Sequence, residues 1–247
     1  MAMSDGFRVK TLKLFNLYSL YLMLEKILSY ERDAFFALNG SDSVFLDHFM
    51  WLYSGKAVWL PLAVFMLVVL LYKKNWRESL FVLLAIVLVV TLCDQFASHI
   101  CKPLFTRFRP THHPDFMNEV KTVFDYRGAQ YGFISSHAAN AFGFATLLAL
   151  IVRNKWLGWT LFIWATLTAY SRIYLGVHFI SDIVPGILVG LFFGYVVYRL
   201  FQFACAIWLL VPEGYSKRQA HLMIYAIVLT VGVMIFFSEP LALLLRP

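Results

Sequence analysis

The stretch Leu80–Cys93, with the sequence LFVLLAIVLVVTLC, decides the fold class of this chain. It carries no charged side chain, and the run continues to Cys101 with a single acidic residue, Asp94. A helix needs about 20 mostly apolar residues to cross about 30 Å of hydrocarbon. The sequence therefore predicts a transmembrane helix over Leu80–Cys101 and indicates an integral membrane protein.

The composition of the 247-residue chain supports this prediction. The chain is 61% hydrophobic and 14% charged, whereas soluble domains average roughly 45–50% apolar and about 25% charged residues. These values exclude a soluble globular domain, and they exclude disorder, which requires low hydrophobicity and high charge. The net charge is +7, from 21 Lys and Arg against 14 Asp and Glu. In a membrane protein such an excess indicates basic cytoplasmic loops and an anionic headgroup or substrate, and we expect no nucleic-acid partner.

Six apolar runs predict an all-α membrane protein, built as a bundle of five to six transmembrane helices. The runs are Ala57–Tyr72, Leu80–Cys101, Ala138–Val152, Trp156–Tyr170, Ile183–Leu210 and Leu222–Phe237. Ahead of them, Leu20–Leu38 mixes charged residues with Leu, Ile and Phe. That pattern predicts an N-terminal amphipathic helix at the membrane interface. The sequence leaves open whether residues 12–30 span the membrane or lie on it.

The short loops between these runs indicate which ends face the cytoplasm. Basic residues follow the first, third and fifth runs, at Lys73, Lys74, Arg77, Arg153, Lys155, Lys217 and Arg218. Because short cytoplasmic loops collect Lys and Arg, we place these loops in the cytoplasm. The opposite face then carries residues 39–56, 102–132 and 171–182. Polar segments that are far apart in the sequence are therefore expected to meet at that face.

Three polar clusters on the opposite face point to phosphate chemistry. Their members are Lys102, Arg107 and Arg109, then Ser135, Ser136 and His137, then Ser171, Arg172, His178 and Asp182. Arg and Lys suit phosphate oxygens, and the free N–H groups of a helix start bind anions. His178 and Asp182 are four residues apart, so on a helix the carboxylate can orient the imidazole as a nucleophile, while His137 is free to be the acid. This set predicts phosphoryl transfer through a covalent histidine, with no metal.

The clusters resemble the signature of the type 2 phosphatidic acid phosphatase (PAP2) superfamily, in its membrane lipid phosphatase branch, written K-x6-RP, PSGH and SR-x5-H-x3-D. The first motif matches at Lys102, Arg109 and Pro110, and the third matches at all four positions. In the second motif Ile134 replaces Pro and Ser136 replaces Gly. The resemblance covers roughly residues 50–205. It divides the chain into an N-terminal interfacial segment (1–50), a PAP2-like catalytic transmembrane domain (51–210), and a C-terminal loop with a final transmembrane helix (211–247).

The resemblance also implies a role for each matched residue. His178 attacks phosphorus and forms a phosphohistidine, and Asp182 orients it. His137 protonates the leaving oxygen and then activates water. The phosphate oxygens are held by Lys102, Arg109, Ser135, Ser136 and Arg172. No metal or cofactor is expected, and the need for a neutral His178 beside a protonated His137 predicts a bell-shaped pH dependence of turnover.

The expected function is that of an integral-membrane phosphatase acting on a lipid phosphate or pyrophosphate. The resemblance offers undecaprenyl diphosphate, lipid A, phosphatidylglycerol phosphate and phosphatidic acid as substrates. The expected location is a bacterial inner (plasma) membrane, with the active site on the periplasmic or outer face. Two alternatives stay open: a lipid phosphotransferase with the same intermediate, and a non-catalytic lipid-binding or transport protein on the same scaffold. The oligomeric state stays open as well.

Several polar residues near the motifs have no place in the family pattern. Arg107 is interpreted as a secondary contact to the phosphate or headgroup. His112, His113 and Asp115 resemble a metal cluster, but we interpret them as solvated loop residues or headgroup contacts.

Overall fold

The computed structural model describes residues 22–208 and 214–246, and these form an all-helical protein. The helices are α1 (22–38), α2 (Val44–Ser54), α3 (Leu60–Leu71), α4 (Trp76–Gln95), α5 (Lys102–Phe105), α6 (Ser136–Val152), α7 (Lys155–Tyr174), α8 (Ile180–Trp208), α9 (Lys217–Phe236) and α10 (Ser238–Leu244). An antiparallel bridge between Phe108 and Tyr131 closes the long loop between α5 and α6. The all-α prediction is confirmed for the described part of the chain.

Three helices are long and apolar enough to cross a membrane: Trp76–Phe105, Ile180–Trp208 and Lys217–Phe236. A fourth candidate is the pair Val44–Ser54 and Ala57–Leu71, which is bent by 66° at the break between the two helices. The protein thus has three or four candidate membrane spans among its described residues. The prediction of five to six spans also counted α6, which is shorter, and α7, which is less apolar.

A line of glycines on α8 allows close packing against α6. A Cβ atom at Gly186, Gly190 or Gly194 would lie 2.5–2.7 Å from a backbone oxygen of the Ser135–Gly143 segment. Small residues four apart are a common way for membrane helices to approach closely. The Ser135 N–H also donates to the Asp182 carbonyl at 3.0 Å, so the starts of these two helices are joined.

Helix α1 lies against the loop face of the bundle. Its buried stripe consists of Leu24, Leu28, Glu31 and Phe35, and the Phe35 ring packs edge-on against Phe179 with centroids 5.3 Å apart. This stripe has the helical spacing of an amphipathic helix, as the sequence predicted for this region. Residues 20 and 21 of that predicted helix lie outside the described residues, as do residues 12–19 of the segment for which the sequence leaves the position relative to the membrane open.

Candidate active site

The predicted histidine–carboxylate pair lies at the turn between α7 and α8. Gly176 makes this turn with φ +71°, a left-handed conformation that suits glycine. His178 is 1% exposed, and Asp182, in the first turn of α8, is fully buried. The His178 Nδ1 atom is 3.4 Å from Asp182 Oδ2, which also accepts from the Phe179 N–H at 3.0 Å. The carboxylate therefore faces the Nδ1 atom of the imidazole.

Three of the predicted cations converge on this pair. The Arg109 Nε donates to the Tyr131 carbonyl at 3.1 Å, and Arg172 donates to Tyr126 Oη at 3.3 Å and to Ser54 Oγ. Lys102 follows a π-helical segment, Phe96–Cys101, and its Nζ donates to Ser98 Oγ at 3.0 Å. The charges of Lys102, Arg109 and Arg172 all lower the pKa of His178 and so act together on the nucleophile pair.

This concentration of positive charge changes the pKa values of the groups at the site. Burial, and then the charges of Arg109 and Arg172, lower the pKa of the His178 imidazole well below its usual value of 6.5. Burial and the neighbouring Arg172 lower the pKa of Arg109 to about 10, so it stays charged at neutral pH. Two buried guanidinium groups that repel each other are stabilised by an anion placed between them, as a phosphate would be.

The second motif forms the start of α6. Ser135 is the N-cap, and its Oγ accepts from the Ala138 N–H at 3.4 Å. Ser136 Oγ accepts from Lys102 Nζ at 3.5 Å, which joins the first and second motifs. Ile134, which replaces the Pro of the family pattern, is 2% exposed and packs in an apolar cluster with Phe133. The start of α6 thus lies beside Lys102, and the N–H groups at a helix start are suited to binding an anion.

His137 faces a cavity of about 400 Å³ inside the bundle. Polar residues at the cavity include Ser54, Lys56, Asp94, Ser136 and Asn140, while its walls include Leu62, Met66, Phe144 and Ile227. Such a cavity can hold a molecule with a polar group near His137 and a hydrocarbon part among the apolar walls.

Arg107 lies behind the His178–Asp182 pair and is 1% exposed. Its Nη1 donates to Asp182 Oδ1 at 2.7 Å and to Ser181 Oγ at 2.6 Å, and its Nη2 donates to Glu31 Oε1 at 2.8 Å. The structure therefore places its guanidinium against protein carboxylates, which differs from our interpretation of Arg107 as a headgroup or phosphate contact. Glu31 was missed. Its signal in the sequence is an acidic residue on the apolar stripe of α1.

The two loop histidines have different surroundings. His113 is 3% exposed, is 3.3 Å from Glu25 Oε2 through Nε2, and stacks on Phe116 with centroids 4.1 Å apart. The interpretation of His113 as a solvated residue is therefore wrong, because its ring fills the contact between the loop and α1. His112 is close to the Thr111 hydroxyl. Within residues 22–208 and 214–246, no group of three or more His, Cys, Asp or Glu side chains is placed to hold a metal ion.

Comparison with known proteins agrees with this site. Residues 80–206 match the family model of the PAP2 superfamily. The lipid A 4'-phosphatase of Porphyromonas gingivalis is 48% identical over 186 residues, which cover 75% of this chain and 79% of that protein. The lipid A 4'-phosphatase of Bacteroides thetaiotaomicron is 33% identical over 221 residues, which cover 87% of this chain and 98% of that protein.

A solved structure supports the same fold. The crystal structure of the first transmembrane PAP2 type phosphatidylglycerolphosphate phosphatase from Bacillus subtilis matches with a TM-score of 0.56 at 21% identity. The match covers 77% of this chain and 96% of that one. The sequence match, the shared fold and the converging motifs agree, and the chain belongs to the PAP2 superfamily as a membrane lipid phosphatase.

Proposed function

We propose that this phosphatase removes a phosphate from a lipid A-type glycolipid through a phosphohistidine on His178. The observation that carries the mechanism is the buried His178–Asp182 contact with Arg109 and Arg172 beside it. The substrate class rests on two relatives named as lipid A 4'-phosphatases, the nearer of them 48% identical. Undecaprenyl-diphosphatase of Sulfolobus acidocaldarius is a more distant relative, at 27% identity over 84% of its length.

In the first step, His178 Nε2 attacks phosphorus while Nδ1 keeps its proton toward Asp182. The new P–N bond forms as the bond from phosphorus to the lipid oxygen breaks, and that oxygen takes a proton from His137. The phosphorylated imidazole carries a positive charge, which the Asp182 carboxylate 3.4 Å from Nδ1 stabilises. Arg109, Arg172, Lys102 and the start of α6 hold the phosphate oxygens as their charge is redistributed.

In the second step, a water molecule attacks the same phosphorus atom. His137, deprotonated by the first step, takes a proton from this water, and the P–N bond breaks as inorganic phosphate forms. His178 returns to its neutral form with the proton still on Nδ1. One histidine thus serves as acid in the first step and base in the second, as microscopic reversibility allows.

The proposed position in the membrane gives the lipid a route to these residues. We place α3, α4, α6, α7, α8 and α9 across the bilayer, with α1 at the interface. The basic loops then face the cytoplasm of a bacterial inner membrane and the active site faces the periplasm. A lipid phosphate at headgroup depth would meet His178, while part of the hydrocarbon enters the apolar walls of the cavity beside His137. This arrangement supports a membrane-anchored substrate over a soluble phosphate ester.

The proposed function is tested with purified full-length protein in detergent micelles. The protein is offered lipid A, undecaprenyl diphosphate, phosphatidylglycerol phosphate and phosphatidic acid, with and without a chelator. We expect the highest kcat/KM for lipid A, with release of inorganic phosphate and no loss on chelation. Equal turnover of lipid A and phosphatidic acid would contradict the substrate class. Transfer of labelled phosphate to a second lipid would identify a phosphotransferase.

Gly132 provides a geometric test of the nucleophile pair. A Cβ atom at this position would lie 3.1 Å from Asp182 Oδ2, 3.1 Å from Arg109 Cγ and 3.5 Å from His178 Nδ1. We expect Gly132→Ala to displace this pair and lower kcat by up to about 10²-fold. Gly158→Ala is the matched control, because its Cβ would meet only Ala149 Cβ, at 3.7 Å. Full activity of Gly132→Ala would show that the pair does not need this close packing.

The lowered pKa of His178 predicts how the nucleophile titrates. A histidine with a depressed pKa stays neutral, and able to attack, until the pH falls below its usual value of 6.5. Nitrogen NMR of histidine-labelled, substrate-free protein should show a neutral His178 at pH 6.5. Turnover should be bell-shaped, because His137 must carry a proton on the basic side. A His178 that is half protonated at pH 6.5 or above would contradict the charge arrangement described here.

A further inference from the structure

A buried chain of charges connects α1 to the nucleophile pair. Arg107 joins two carboxylates, with Nη1 on Asp182 Oδ1 at 2.7 Å and Nη2 on Glu31 Oε1 at 2.8 Å. The side chains are 1% exposed for Arg107, 0% for Asp182 and 10% for Glu31. Asp182 uses its other oxygen, Oδ2, toward His178. Each carboxylate oxygen of Asp182 therefore has its own partner, and Arg107 fixes which oxygen faces the imidazole.

Glu31 also holds the start of the helix that carries Asp182. Its Oε2 accepts from the Ser181 N–H at 2.8 Å, and its Oε1 accepts from the Ser181 hydroxyl. The first N–H groups of a helix lack partners within the helix, and a carboxylate placed there is stabilising. Glu31 thus caps α8 from another part of the chain, 150 residues away in the sequence.

The charges of Glu31, Arg107 and Asp182 explain why Asp182 needs a second carboxylate nearby to keep its effect on His178. Arg107 alone would neutralise Asp182 and weaken its field at His178. With Glu31 on the opposite side, the guanidinium is shared between two carboxylates, and the three groups keep a net negative charge. Asp182 then remains a strong acceptor for the positive imidazole of the phosphoenzyme. In a low-dielectric interior this sharing has a larger effect than it would in water.

We propose that Glu31 on α1 is a positioning residue of the active site, which acts through Arg107 to fix the orientation and charge of Asp182 opposite His178. Through Glu31 alone, helix α1 then supports the active site, in addition to its proposed position at the membrane interface. The inference rests on the proposed roles of His178 and Asp182. At metal sites, the outer partners that hold a histidine or a carboxylate in place contribute about 10–100-fold, and we expect an effect of the same order from Glu31.

The test compares Glu31→Gln with wild-type protein in detergent micelles. We expect kcat to fall about 10–100-fold while KM changes by less than about threefold, because the substrate does not touch this side chain. Loss of the Glu31 carboxylate should also shift the pH–rate profile of phosphohistidine formation: its acid limb, where the rate falls as His178 becomes protonated, should move to lower pH. The groups facing His178 are the cations Lys102, Arg107, Arg109 and Arg172, together with His137 and Asp182. When Glu31 is neutral, Arg107 cancels more of the negative charge of Asp182. The cations then disfavour the protonated form of His178 more strongly.

Three further variants separate positioning from a structural role. Glu25→Gln is the matched control, since Glu25 is also an acidic residue of α1 and pairs with His113 rather than Arg107. It should leave kcat and the acid limb unchanged. Glu31→Asp keeps the charge and should keep the acid limb, even where kcat falls. The double variant, with Glu31→Gln and Arg107→Gln together, removes both charges. The acid limb of its pH–rate profile should return toward the wild-type position.

The outcomes distinguish this inference from the proposed function. Phosphohistidine formation that persists in His178→Ala would overturn the proposed function. An inactive His178→Ala beside a Glu31→Gln variant with wild-type kcat and acid limb would overturn the inference alone. Lowered thermal stability of Glu31→Gln with an unchanged acid limb would also overturn it, since that pattern is purely structural. If Glu31→Gln does not fold, the acid limbs of Glu31→Asp and the double variant decide between the same outcomes.

Discussion

Replacing His178 with alanine should lower kcat for phosphate release by about 10⁴-fold or more, because the route through a covalent intermediate is lost. The remaining rate would come from the cations around the phosphate, which can still stabilise an attack by water. Substrate binding should change little, since in the proposed mechanism Arg109, Arg172 and the start of α6 hold the phosphate. His221→Ala is the matched control, because His221 is an exposed histidine on α9 outside the site.

The intermediate itself gives the clearest measurement. Wild-type protein, mixed with lipid carrying radioactive phosphate and quenched within one turnover, should hold a label that is lost in acid and stable in base, as expected for phosphohistidine. Peptide mapping should place the label on His178, and His178→Ala should carry none. A label on another side chain, or wild-type phosphate release by His178→Ala, would contradict the mechanism.

Replacing His137 with alanine should slow both steps, but not equally for all substrates. A general acid or base contributes about 10²–10⁴-fold, and the contribution of the acid depends on how poor the leaving group is. With a lipid phosphate, the variant should lose this factor in the first step. With an aryl phosphate that leaves without a proton, the first step should stay fast while attack by water remains slow. Phosphohistidine should then accumulate on His178.

This accumulation is measured by rapid quenching. We expect an aryl phosphate to give the His137→Ala variant a burst of phenolate close to one equivalent of protein, followed by slow turnover. Wild-type protein should show a smaller burst with the same substrate. If the variant is slowed equally with alkyl and aryl leaving groups and shows no burst, His137 is not the acid of the first step.

The motifs were predictable because their spacing follows local geometry. His178 and Asp182 lie one helical turn apart, so their contact required only that α8 begins near residue 180. Lys102 and Ser136 were expected near each other because alternate loops emerge on one face of the bundle, and a Lys102–Ser136 hydrogen bond is present. Both predictions depend on periodicity and on chain direction, which the sequence contains.

The partners of Arg107 and Glu31 were not predictable in the same way. Glu31 lies on the stripe of α1 that should be apolar, and a buried charge requires a partner, but the sequence does not show which cation meets it. That partner is 76 residues away, and its choice depends on how α1 lies against the long loop. Helix α2 was not predicted either, because residues 39–56 were assigned to the loop face. Gly55 ends this helix, and the angle of 66° between it and the following helix cannot be read from that glycine alone.

The glycine packing of α6 against α8 limits how the protein can open for a lipid. Gly186, Gly190 and Gly194 lie so close to the α6 backbone that sliding of either helix would bring backbone atoms into collision. These two helices carry His137 and Asp182, so the reacting groups belong to one rigid unit. We therefore expect entry of a lipid to involve movement of α3 or α9, which also contribute residues to the lining of the cavity. A thicker or thinner bilayer, which tilts helices, should therefore change the rate of substrate entry and leave the chemical step nearly constant.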